Sequence, residues 1–170
     1  MPLKSSPEPK QPVKQSDPIL WNWRILAETG NTTAQLKLAL IYDHGESDVR
    51  DTAKALYWYR RAADHGNTDA QCILGLMYYK GRHVDVNYIE AAHYFLHAAD
   101  RGNADAQLFI AIMFESGQGV PKNHDIAMAL YKKSSLQGNA LAQFSLGLLY
   151  EEDANNAPDR PRAAACYRIA

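Results

Sequence analysis

Cysteine is scarce in this 170-residue chain, which has only Cys72 and Cys166. Two thiols are too few for the disulfide framework of a small secreted domain. Long apolar runs are also missing. None approaches the roughly 18 residues of a transmembrane helix, so no membrane span is expected. Neither charge sign dominates, with 18 Lys and Arg against 19 Asp and Glu for a formal net charge of -1. That balance shows neither a basic footprint for nucleic acid nor an acidic tail. The N-terminal stretch "MPLKSSPEPKQPVKQSDP" lacks the apolar core of a secretory leader. The expected location is therefore the cytoplasm, and export would need a route that reads no such leader. Residues 1–17 carry four prolines, three lysines and almost nothing apolar. Such a segment cannot offset its ordering entropy and is expected to be a tail.

The rest of the chain is repetitive. "AETGNTTAQ", "ADHGNTDAQ", "ADRGNADAQ" and "SLQGNALAQ" place glycine at 30, 66, 102 and 138, always 36 residues apart. A fixed period of this length marks a solenoid. The register extends through the unit. Ala34, Ala70, Ala106 and Ala142 align, and each is followed by Gln35, Gln71, Gln107 or Gln143. Leu38, Leu74, Ile110 and Leu146 come next, then the aromatics Tyr42, Tyr78, Phe114 and Tyr150. In the second half Ala55, Ala91, Ala127 and Ala163 align, as do Tyr59, Phe95, Tyr131 and Tyr167.

Spacings of four put Ala34, Leu38 and Tyr42 on one helical face, and Ala55, Tyr59 and Ala62 on another. Each unit is therefore an amphipathic helix pair, A then B. Small residues let the axes approach, and aromatics fill the space between layers. Asp51, Asn87, Asn123 and Asp159 stand where helix B begins, as good N-caps. The repeated glycine suits a left-handed turn after helix B, and the asparagine beside it suits the cap of the next helix A. The glutamine amide is expected to tie this turn to a neighbouring backbone group.

On these residues, "GNTDAQCILGLMYYKGRHVDVNYIEAAHYFLHAADR" (66–101) resembles a Sel-one-like repeat (SLR), a relative of the tetratricopeptide repeat. The resemblance covers residues 19–170. It implies an all-α fold, a right-handed α/α superhelix of 36-residue helix-turn-helix repeats, with A helices on the concave side. The expected domain is 18–170, with a half repeat at 19–29 and repeats at 30–65, 66–101, 102–137 and 138–170. The family implies a non-enzymatic adaptor or scaffold, often bacterial, with a protein or peptide partner and no cofactor. One cysteine-rich, secreted branch is associated with β-lactam hydrolysis. It pairs cysteines within each repeat, and this chain does not. Self-assembly is a third reading, because Ala170 falls inside the last helix B and a solenoid end normally takes a polar cap. That end is expected either to continue into further chain or to dock against something.

Candidate site residues follow from the helix A wheel. Lys37, Ile73, Lys80, Phe109, Leu141, Ser145, Asp69 and Asp105 are expected to point away from helix B and line the groove. Ile73, Phe109 and Leu141 make an apolar centre with a charged rim, the anatomy of a binding surface. Phe109 is expected to be the central anchor. Glu90, His93 and His97 form a stripe at metal-ligand spacing, but three ligands on a solvated face are a weak zinc signal. His44, His65, His83 and His124 are expected to be solvated, and Trp21 and Trp58 partly exposed. No nucleophile constellation is evident. Ser145 varies with Lys37, Ile73 and Phe109 at its slot, and "GQG" (117–119) has no preceding strand or following Lys-Ser/Thr pair.

Overall fold

The computed structural model describes residues 18–45, 49–152 and 160–169. Among these residues the elements are all helices: α1 (Pro18–Glu28), α2 (Thr32–His44), α3 (Thr52–Asp64), α4 (Thr68–Lys80), α5 (Tyr88–Asp100), α6 (Ala104–Ser116), α7 (His124–Leu136), α8 (Ala140–Glu152) and α9 (Arg160–Ile169). The even-numbered helices are the A helices and the odd-numbered ones the B helices. Each helix packs on its sequence neighbours, and α4 also touches α6. The result is a right-handed helical solenoid in which α1 stands as a lone B helix ahead of the first full pair.

Local chemistry sets the helix ends. Asn31, Asn67, Asn103 and Asn139 accept through Oδ1 from the amides of Ala34, Ala70, Ala106 and Ala142, at 2.9–3.0 Å. Asp51, Asn87 and Asn123 cap α3, α5 and α7 in the same way. Asp159 lies outside the described residues with the rest of the loop 153–159 before α9, as do 46–48 of the first A–B loop. After each B helix the repeated glycine adopts a φ between 82° and 91°. A Schellman pair closes the turn: the Gly66 amide donates to the Ala63 carbonyl and Asn67 to Ala62, and the pattern recurs at 102 and 138. Only glycine reaches this backbone region without a Cβ penalty.

The expected role of the glutamines is met. Nε2 of Gln35, Gln71, Gln107 and Gln143 donates to the carbonyls of Ala27, Ala63, Ala99 and Ser135, at 2.9–3.2 Å. Each acceptor is a carbonyl of the last turn of the preceding B helix. The same amides then reach forward. Gln35 Oε1 lies 3.0 Å from His65 Nδ1, and Gln107 Oε1 accepts from Gln137 at 2.8 Å. In the second repeat the slot holds Arg101, whose guanidinium lies over Gly66, and Gln71 Oε1 is buried without a partner.

Apolar packing supplies most of the stabilisation. Tyr59, Phe95 and Tyr131 of the B helices are fully buried among small residues of both layers. Burying each such ring is worth about 2–3 kcal/mol. Phe95 lies directly on Gly75, where an added Cβ would come within 2.7 Å of the ring. One exposure differs from expectation: Trp21 is exposed, but Trp58 is buried, with its ring against Tyr57 and the Arg61 guanidinium. Cys72 is buried and Cys166 only half-buried, both as free thiols. Burial pushes the Cys72 thiol up to about 12, which makes it an inert core residue.

Gln107→Ala removes the donor to Ala99 and the acceptor of Gln137 together. It is expected to cost about 1–3 kcal/mol in urea unfolding, the penalty for unpaired buried polar groups. A loss under about 0.5 kcal/mol would assign the turn to the glycine and asparagine alone.

Candidate functional site: the outer face of the A helices

On helix A, positions two residues beyond the Leu38 slot are rotated about 200° from the core stripe. Leu40, Leu76, Ile112 and Leu148 occupy that position in the four repeats, and none is buried. They form an aliphatic row in which Leu40, Leu76 and Ile112 pack in part against the core and Leu148 is exposed. Sequence reasoning missed this row. Its signal was present in the period itself, an aliphatic every 36 residues on the polar side of the wheel.

The predicted groove residues distribute around this row. Lys37 and Lys80 are exposed. Asp69 and Asp105 are also exposed, but each accepts at 2.9 Å from the cap asparagine of the next repeat, Asn103 and Asn139. These carboxylates therefore join repeats as well as lining an edge. Leu141 is 67% exposed. Ile73 and Phe109 are half-buried. Phe109 stacks on the fully buried Phe95 at 5.3 Å with 20° between planes, so it packs the core as well as facing outward. Ser145 is half-buried and hydrogen-bonds to Tyr131. The three apolar side chains thus differ in depth, with Leu141 standing proud and the other two sunk between helices.

A second constellation sits at the junction of the first two A–B loops. Asp43 is buried, its side chain only 2% exposed. Oδ2 accepts from the Tyr59 hydroxyl and from Arg82 Nη2, each at 3.1 Å, and His83 Nε2 lies 2.8 Å from Oδ1. His44 Nε2 is 3.6 Å away. His83 is the one described non-glycine residue at positive φ, 65°, where the third repeat has Gly119 at 71°. Its contact with Asp43 offsets the strain of that backbone, on the order of 1–2 kcal/mol. His83 and His65 are therefore held by hydrogen bonds rather than simply solvated, and Nε2 of the half-buried His124 is shut from solvent. Of these four residues His44, His65 and His83 are exposed as expected, the last two also hydrogen-bonded, and His124 is half-buried.

The same slot is rebuilt in each repeat. In the third, Tyr131 donates to Glu115 at 2.6 Å. In the second, the acid becomes Tyr79 and the facing tyrosine becomes Phe95, so no hydroxyl is stranded, and Tyr79 bonds Gln118 instead. Burial, reinforced by the adjacent carboxylate, pushes the Tyr59 and Tyr131 hydroxyls well above their ordinary range. Desolvation acts to raise the Asp43 carboxyl, but His83, Arg82, Tyr59 and His44 together outweigh it and hold it below the usual carboxylate range.

Of the predicted metal stripe, the structure brings His93 and His97 together and leaves Glu90 apart. Among the described residues no group of three or more His, Cys, Asp or Glu is placed to hold a metal. No described helix is long and apolar enough to cross a membrane.

Repeated helix pairs with this turn chemistry define the class, and comparison gives the family. The Sel1 repeat model matches residues 32–67, 68–103, 104–139 and 140–170. The chain belongs to the Sel1-repeat family. It is similar to a protective antigen of uropathogenic Escherichia coli strains displaying an SLR fold, with 31% identity and a TM-score of 0.83 over 88% of this chain and 32% of the other. A Sel1 repeat protein from Oxalobacter formigenes is 28% identical with a TM-score of 0.75, over 88% of this chain and 60% of that one. An immunity protein from Pseudomonas aeruginosa is 25% identical with a TM-score of 0.59, over 89% and 56%. The chain thus spans about a third to three-fifths of these relatives. No match was found among curated proteins. Sel1-repeat solenoids are commonly protein-interaction scaffolds rather than enzymes.

Because Asp43 titrates lower in the folded chain than unfolded, its stabilisation is complete above the ordinary carboxylate range. It is lost as pH falls through the folded value. Asp43→Asn is expected to lose about 2 kcal/mol at neutral pH. Its stability should converge on that of the wild type as pH approaches about 2. Urea unfolding across pH measures both, and curves that stay parallel down to acid would remove Asp43 as a charged anchor.

Proposed function

We propose that the chain is a binding module whose A-helix face holds an extended or helical segment of a partner protein. The observation carrying this reading is the row Leu40, Leu76, Ile112 and Leu148, an aliphatic side chain at every 36th position that is half-buried in the first three repeats and exposed in the fourth, so that each leaves some apolar surface open. Lys37 and Lys80 are exposed beside it, and Asp69 and Asp105 lie at the first turns of their helices, so that α4 carries an acid at its start and a base at its end. An apolar floor contributes affinity, and nearby charges of both signs favour one orientation of a bound segment. Phe109, braced by Phe95, is pre-organised, which lowers the cost of ordering on binding. Leu141 and Ser145 extend the surface onto the last A helix. The partner is a protein rather than a nucleic acid, in keeping with the balanced charge, and the setting is the cytoplasm, where two free thiols persist.

The test needs the partner recovered on the intact chain, followed by affinity measurement with two variants. Leu148→Asp places a charge on the row at a site 39% exposed, where folding tolerates it. Lys37→Glu with Lys80→Glu reverses one rim. Each is expected to weaken binding about tenfold or more with an unchanged melting temperature. Wild-type affinity in both would move the binding surface elsewhere.

A further inference from the structure

The outer face of α5 carries two imidazoles one turn apart. His93 and His97 are both exposed, and their Nε2 atoms lie 3.2 Å from each other. The rings meet edge to face, with centroids 4.6 Å apart and 76° between planes. The i, i+4 spacing brings them onto one helical stripe. Two neutral imidazoles at this distance share one proton between two lone pairs. The same distance fits another occupant. With metal–nitrogen bonds of about 2.0 Å, two cis ligands are separated by about 2.8 Å at a right angle and about 3.3 Å in a tetrahedron. The His93–His97 separation falls between these limits.

The period makes the pair unusual. The same two slots hold Tyr57 and Arg61 in the first repeat, where the Arg61 guanidinium donates to the Tyr57 hydroxyl at 2.8 Å. In the third they hold Ala129 and Lys133. Only the second repeat puts two nitrogen lone pairs at this spacing on the solvated side, with no carboxylate or guanidinium bonded to either ring.

We propose that His93 and His97 form a bidentate site for a nitrogen-preferring divalent cation, Cu²⁺ or Zn²⁺, through both Nε2 atoms. Two protein ligands leave further coordination positions to water or to a donor from another molecule. This separates the site from a closed structural centre, which takes four protein ligands. Imidazole nitrogen and the order of divalent affinities place Cu²⁺ first among the candidates.

The untagged intact chain is titrated with Cu²⁺ by calorimetry, and its bound form is examined by pulsed electron paramagnetic resonance. The comparison set is His93→Ala, His97→Ala and the double variant. All change exposed side chains, so circular dichroism should be the same throughout. The expected result is one equivalent bound at least about tenfold tighter to the wild type than to either single variant, through the effective concentration of the second ring. Modulation from two equivalent imidazoles should be present only in the wild type. Equal affinity in wild type and single variants, or a signature of one imidazole in the wild type, overturns the site and leaves a hydrogen-bonded pair of rings.

Discussion

A thirteen-residue helix in water does not hold itself together, because nucleation costs more than so few hydrogen bonds return. Everything in this chain rests on that deficit being met by the next helix. Each A helix buries its Ala-Leu-aromatic stripe against two B helices, one before and one after it in sequence. The Gly-Asn-x-x-Ala-Gln segment sits where these three elements meet. Glycine turns the chain, asparagine caps the incoming helix, alanine lets it approach, and glutamine satisfies a carbonyl of the helix just left. One six-residue stretch thus settles both the angle of the turn and the polar groups that the turn would otherwise strand. Repeating it repeats the geometry, which is why α2 through α8 are all thirteen residues long.

Most of the fold was legible because it is periodic. The helix pairs, the caps at Asp51, Asn87 and Asn123, the small-residue contacts and the glutamine tie all follow from residues recurring every 36 positions. The site was less legible, for a physical reason. A helical wheel separates core from solvent, but on a solenoid the flank of an A helix also meets the B helix before it, and Phe109 packs there on Phe95 while Ile73 packs in part against the core. Wheel position alone therefore overstated their exposure, while the equally half-buried Leu40, Leu76 and Ile112, with the exposed Leu148, were overlooked. Trp58 misled in the same way, since its ring is covered by Tyr57 and Arg61 from its own helix. The Asp43 cluster was unreadable because its partners come from a different loop, about 40 residues away. No local pattern announces that Arg82 and His83 reach back to it.

Departures from the period separate into two kinds. Some are answered by a neighbour. Tyr79 replaces an acid just where Phe95 replaces a tyrosine, so the second repeat loses a hydrogen bond without stranding a donor. His83 occupies a glycine-type backbone, and Asp43 meets it with a carboxylate. These pairs are closed within the molecule and explain themselves as packing. Other departures have no such answer. Leu141 and Leu148 present apolar surface that none of the described residues covers. His93 and His97 turn their Nε2 atoms to each other on the exposed side of α5. In a molecule whose regular positions are so fully accounted for by stacking, the unanswered ones mark where selection acted on something other than the fold. The His83–Asp43 contact ties repeats one and two together and the Tyr79–Phe95 exchange is settled within the second, whereas the unanswered residues are exposed, where a partner can reach them without disturbing a single inter-repeat bond.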